Sequence, residues 1–119
     1  MENIEEWLED LKRSDKIIIV EGPNDKKALE YFGINNIVTL SRKPIFQIVE
    51  DISMIAHQVI ILTDFDKKGK ELYGKLSSAL QRHGVQIDNK FREYLLRTRL
   101  SHIEGLVKFT SSQENYRPK

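Results

Sequence analysis

Apolar positions along the chain fall into two rhythms. Ile4, Trp7, Leu8 and Leu11 recur at helical spacing, so residues 2–13 are predicted to form an amphipathic helix. Ile17-Ile18-Ile19-Val20 is an unbroken β-branched run, the pattern of a strand buried on both faces in a parallel sheet. Gly22-Pro23-Asn24 interrupts it. Asn24 is the expected N-cap of a helix over about 25–32, which Gly33 would close. A second strand is predicted over residues 36–40, and Pro44 falls in the first turn of a helix running to about Ala56. Val59 to Leu62 forms a third buried run. Residues 68–83 place Leu72, Leu76 and Leu80 on one helical face, ended by Gly84. A short strand over 85–87 and a helix over 89–97 follow. His102 to Phe109 would add a last turn or two, and residues 110–119 form a polar, flexible tail.

The alternation of short buried strands with helices predicts an α/β fold of about four mostly parallel strands, with helices on both faces. The length of 119 residues fits one domain over 1–119 and can bury a sufficient core. No cysteine is present, which excludes a disulfide framework, a thiolate zinc site and a cysteine nucleophile. Apolar runs reach only about five residues, too short for a membrane span or a signal-peptide core. A cytoplasmic protein with no membrane contact is expected. Lys and Arg total 19 against 18 Asp and Glu, so bulk charge cannot hold a nucleic acid. The balance conceals an acidic start (Glu2, Glu5, Glu6, Glu9, Asp10), a basic cluster at Lys67, Lys68, Lys70 and Lys75, and a basic C-terminal stretch from Lys90 onward.

Three carboxylates fall where chemistry is expected. Glu21 directly follows the first buried strand, and Asp64 and Asp66 follow the third. In a parallel sheet the C-terminal strand ends share one edge, and ligands bind outside that edge. Three acids gathered there repel one another, and a hard divalent cation relieves the repulsion. All-oxygen ligands suit Mg²⁺ or Mn²⁺. Gly22 could turn the chain sharply and let a phosphate approach the backbone, while Gly69 lies near a helix start whose N–H groups favour anions. Lys67, Lys68 and Lys70 would add positive charge beside the acids. Taken singly, each feature has a plain alternative: a strand-end cap, an Asp-x-Asp turn, a solvated lysine face.

Together, Ile18-Ile19-Val20-Glu21-Gly22-Pro23-Asn24-Asp25 and Ile60-Ile61-Leu62-Thr63-Asp64-Phe65-Asp66-Lys67-Lys68-Gly69 resemble a Toprim domain. This module is shared by bacterial-type primases, type IA and type II topoisomerases, OLD-family nucleases, RecR-type repair proteins and the maturation nuclease of 5S ribosomal RNA. The resemblance covers about residues 15–105, is greatest to small stand-alone Toprim proteins, and implies the Toprim (Rossmann-like) fold. It implies Glu21 as general acid or base and Asp64 and Asp66 as Mg²⁺ ligands, with Glu21 also counted among the residues of the metal site. Asp25 matches an often acidic position, with a supporting role implied. His102-Ile103-Glu104-Gly105 resembles a segment of the maturase domain and adds His102 and Glu104 as candidates. The plain alternative for His102 is a surface residue capping the last helix. Tyr31, Tyr73, Tyr94 and Tyr116 lie on predicted helices or the tail, without the extra domain that carries a topoisomerase's nucleophile.

The expected function is Mg²⁺-dependent phosphoryl transfer on RNA or DNA, most simply phosphodiester cleavage, with Lys67, Lys68, Lys70, Arg97 and Arg99 on backbone phosphates. The alternative is a binding module without turnover inside a larger complex. A homodimer or a protein partner could supply substrate selection. A haloacid-dehalogenase phosphatase would place Asp-x-Asp after its first strand. A receiver domain would want an acidic pair where Glu21-Gly22 supplies one acid. Neither matches.

Overall fold

The computed structural model describes residue 1 and residues 3–98. Arg99, His102 and Glu104, the turns expected over His102–Phe109 and the tail lie outside the described residues. Among the described residues the order is α1 (Ile4–Arg13), β1 (Ile17–Val20), α2 (Pro23–Tyr31), β2 (Ile37–Thr39), α3 (Ile45–Ser53), β3 (Gln58–Ile61), α4 (Lys67–Arg82), β4 (Gln86–Ile87) and α5 (Lys90–Arg97).

All the strand pairs are parallel, and the spatial order is β2-β1-β3-β4. Alternate residues of the central strands feed two cores. Ile18, Val20, Ile60 and Leu62 pack under α1, α2 and α5 with Trp7, Leu11, Leu29 and Phe91. Ile19, Val59 and Ile61 pack under α3 and α4 with Ile48, Ile52, Leu76 and Leu80. This two-sided burial is why β1 and β3 read as continuous apolar runs. The indole Nε1 of Trp7 donates to the Phe91 carbonyl at 2.9 Å, so the amphipathic stripe of α1 is spent on the domain's own core against α5.

The winding places a crevice at one point. From β1 the chain moves outward through α2 to β2. It then returns across β1 through α3, on the opposite face, to reach β3. The order therefore reverses between β1 and β3, the position at which open α/β sheets take ligands. In register Ile19 faces Ile61, and the Leu62 N–H donates to the Ile19 carbonyl at 2.8 Å. The residues that follow, Glu21 and Thr63-Asp64, leave the sheet side by side.

Several helix starts differ from the sequence expectation: Pro44, expected in the first turn of α3, caps it from outside, and the starts of α2 and α4 differ for a physical reason. Helix α2 begins at Pro23, with Gly22 as its cap and Asp25 Oδ2 accepting the Gly22 N–H at 2.9 Å. The fixed φ of proline suits the first helical position, so Asn24 is already inside the helix and cannot cap it. The chain bends at Glu21-Gly22, with Gly22 itself extended (φ −146°). Helix α4 begins one residue early because Asp66 caps it, accepting the Gly69 N–H at 2.8 Å. Gly33 and Gly84 do take the left-handed conformation, φ 80° and 82°, that helix-ending glycines serve.

Gly69 has a steric reason. A Cβ there would stand 2.1 Å from the Asp64 carbonyl oxygen and 2.5 Å from its carbon. The first turn of α4 thus rests directly on the Asp64 backbone, and the Thr63 hydroxyl ties down the same turn by donating to the Gly69 carbonyl at 2.9 Å. Because backbone cannot yield as a side-chain tip does, Gly69→Ala is expected to cost about 1–3 kcal/mol by overpacking, measured by urea denaturation. An unchanged midpoint and slope would contradict this packing.

Candidate metal centre

Glu21, Asp64 and Asp66 converge at the crevice between β1 and β3. One carboxylate oxygen from each lies within 4.8 Å of the others. Glu21 and Asp64 are half-buried and Asp66 is exposed, so the cluster opens to solvent on one side. The β1/β3 register brings Glu21 close enough for its Oε1 to accept the Asp64 backbone N–H at 2.9 Å. Asp66 is oriented by its capping bond to Gly69. Two of the three acids are thus held through backbone amides.

Burial is the main cause that raises the Glu21 carboxyl above its ordinary value of 4.5. The charges of Asp64, Asp66 and Asp25 act in the same direction, and the Asp64 N–H opposes them. A group of three carboxylates with one exposed side suits a hard divalent cation. Mg²⁺ holds oxygens at about 2.1 Å, so opposed ligands stand about 4.2 Å apart, and the ion commonly keeps several waters. The donor set fits after small side-chain adjustments, or with one acid acting through water. Among the described residues it is the one group of three or more potential metal ligands.

Arg92 was not singled out from sequence. It appeared there as one base in a run with Lys90, Arg97 and Arg99, yet it is buried. Its Nη1 donates to the Thr63 carbonyl and, at 3.0 Å, to the Thr63 hydroxyl, and its Nη2 donates to the Asp64 carbonyl at 3.2 Å. The guanidinium is sandwiched between the rings of Phe65 and Tyr73, 4.5 and 4.4 Å from their centroids. A fixed fork of donors thus holds the peptide that carries Asp64. Desolvation lowers the Arg92 pKa, opposed by Tyr73, Asp64 and Glu21. The available signal was positional: Arg92 sits on α5 beside Phe91 and one turn before Leu95, both core residues.

The other sequence candidates divide. Lys67, Lys68 and Lys70 are exposed on the first turn of α4, directly after Asp66. Open space lies above Gly22, but its N–H is committed to the buried Asp25. The Gly69 N–H, expected to face an anion, is likewise taken by Asp66. Arg97 is exposed, its guanidinium 5.9 Å from the centroid of Tyr94, a ring that stacks on Trp7, so it lies toward α1.

Comparison with known proteins agrees with this geometry. The sequence model of the Toprim domain matches residues 15–89. A UPF0292 protein of Thermococcus onnurineus is 39% identical over 86% of this chain and 77% of its own length. One from Methanosarcina acetivorans is 34% identical over 93% and 82%. A solved structure of a protein from Aquifex aeolicus superposes with a TM-score of 0.84 at 36% identity, covering 87% of this chain and 98% of that one.

The raised Glu21 pKa has a sign that can be measured. Such a group favours the fold while it is protonated and loses that contribution as pH rises through the raised value. Glu21→Gln keeps an oxygen for the Asp64 N–H and removes the charge. In chelator at neutral pH the variant is expected to melt above the parent. The gap should shrink on acidification and vanish below pH 4.5, where the parent is protonated in both states. A variant that melts below the parent at neutral pH would contradict this balance.

Proposed function

This chain belongs to the Toprim domain family, and on that premise we propose that it is a Mg²⁺-dependent nuclease cleaving phosphodiesters in RNA or DNA. The observation that carries the reading is the convergence of Glu21, Asp64 and Asp66 at the topological switch point of the sheet. A bound divalent cation would neutralise and orient the phosphate there. Asp64 and Asp66 would hold it, with Glu21 adjoining. Glu21, its carboxyl raised above the ordinary value mainly by burial, would take a proton from the attacking hydroxyl or return one to the leaving oxygen. Arg92 keeps the Asp64 peptide in place beneath the site.

The charge on α4 supports an anionic substrate. Its first turn carries Lys67, Lys68 and Lys70 and no acid. Cations at a helix N-terminus oppose the macrodipole, at about 0.3–1 kcal/mol each. A folded chain gains nothing from that arrangement by itself, whereas a polyanion seated over the acids would meet both the lysines and the helix end. Arg97 and, outside the described residues, Arg99 would extend the contact surface, and His102 and Glu104 stand as further candidates on the sequence resemblance alone. No helix among the described residues is long and apolar enough to cross a membrane. A cytoplasmic location fits this reading, with substrate choice resting on this surface, a second copy or a protein partner.

The test is cleavage of labelled RNA and DNA with Mg²⁺ or Mn²⁺. Glu21→Gln is expected to slow it about 10²- to 10⁴-fold, and Asp64→Asn to abolish it. Full-rate activity in both variants would sink the proposal. Chelator-sensitive binding with no cleavage of any polymer would instead make the protein a metal-dependent binding module.

A further inference from the structure

A groove of about 280 Å³ runs between the outer edge of β2 and α3, lined with apolar side chains from Ile17, Val38, Ile48 and Ile52. We propose that a second copy of this chain covers it. The two β2 strands pair antiparallel about a two-fold axis at Val38 and join both four-stranded sheets into one continuous sheet.

The backbone of this edge is complementary to itself. β2 is the outermost strand, and among the described residues it pairs with β1 alone. The Asn36 carbonyl accepts the Ile18 N–H, and the Leu40 N–H donates to the Val20 carbonyl. Backbone groups alternate in direction along a strand, so Asn36, Val38 and Leu40 face β1. Ile37 and Thr39 direct their N–H and C=O groups outward, and among the described residues nothing bonds to them. Edge strands are commonly blunted by charge or proline, yet Ile37-Val38-Thr39 carries neither and is β-branched throughout. With Val38 opposite its symmetry mate, Ile37 meets the second copy's Thr39 and Thr39 meets its Ile37. Every outward group of both edges then has a partner.

Charge and shape favour a second copy over a foreign strand. Arg42 and Lys43 stand where β2 has left the sheet, at one end of the groove. Lys43 is bonded to Asp51 at 3.0 Å, whereas the exposed Arg42 has no ion pair among the described residues. At the other end α3 finishes with no base in its last turn, so the negative end of its dipole is uncompensated. Beside that end Met54 and Ile55 are 83% and 76% exposed. A two-fold axis reverses the groove of the second copy. Its Arg42 is brought level with this helix end, and Met54 and Ile55 of each copy come beside the Arg42 stem of the other. Each end of the groove is thus the complement of the opposite end, as an isologous contact requires. The acidic triads, at the C-terminal strand ends, would open on opposite sides of the joined sheet, so neither copy completes the other's metal centre.

The full chain is expected to sediment at twice its mass of 13.9 kDa. It contains no cysteine, so Val38→Cys supplies a single thiol that can pair only with another copy. Residues facing each other in a non-hydrogen-bonded antiparallel pair have Cα atoms about 4.5 Å apart, within disulfide reach. Mild oxidation should convert most of Val38→Cys to a covalent dimer. Phe46→Cys, at a site 66% exposed but outside the groove, should stay largely unlinked. Thr39→Pro removes one outward N–H, which an edge strand tolerates, and Ile55→Glu charges the exposed rim. Each should weaken dimerisation about tenfold or more, because the two-fold axis repeats the loss, and leave the far-ultraviolet circular dichroism unchanged. A parent that is monomeric at every concentration overturns the interface and leaves the edge to a foreign peptide or to this chain's own residues 99–119. A dimer in which Val38→Cys stays unlinked, or that both substitutions leave equally tight, overturns it as well.

Discussion

The parallel register of β1 on β3 is the constraint on which the site depends. With Ile19 opposite Ile61, the two strands end together, and Glu21 reaches the Asp64 amide. Side chains alternate across a sheet, so a slip of one residue would send Ile18 and Val20 to the wrong core and turn Glu21 away from the crevice. The register is fixed by burial on both faces, where the two cores each claim alternate residues of the same strands. The hydrophobic pattern that folds the sheet therefore also sets the spacing of the acids.

Bringing three carboxylates together costs stability, and the fold offsets the cost with backbone and buried groups in place of surface salt bridges. The Asp64 N–H binds Glu21, the Gly69 N–H binds Asp66, and Arg92 grips the carbonyls of Thr63 and Asp64 from below. Each of these holds an acid, or the peptide bearing it, while leaving carboxylate oxygens directed outward. Such an arrangement is fixed before any ligand arrives, so little ordering remains to be done on binding. The uncompensated part appears in the raised Glu21 carboxyl.

The sheet, its parallel sense and the three acids were legible in the sequence because each rests on local signals. Unbroken β-branched runs mark β1 and β3, and the logic of parallel strands then gathers whatever follows them. The first helix was legible from its stripe, whose Trp7 is buried in the domain's own core. Arg92 was not, because a buried arginine and a solvated one look alike in a basic run, and only the phase of α5 against β3 separates them. From sequence, Gly69 marks only a helix start whose N–H groups favour anions. The structure shows that the glycine is needed for the closeness of α4 to the Asp64 backbone, a contact invisible without the third dimension. Asn24 has the residue type of a cap, yet Pro23 starts the helix first and Asp25 supplies the closing bond.

The central claim is that Glu21, Asp64 and Asp66 form one divalent-cation site. Anomalous scattering from crystals soaked in Mn²⁺ tests it most directly. A single peak is expected in the β1/β3 crevice, with carboxylate oxygens of Asp64 and Asp66 at about 2.1–2.2 Å and Glu21 bound directly or through one water. The absence of a peak, with the three carboxylates turned away from one another, would contradict it.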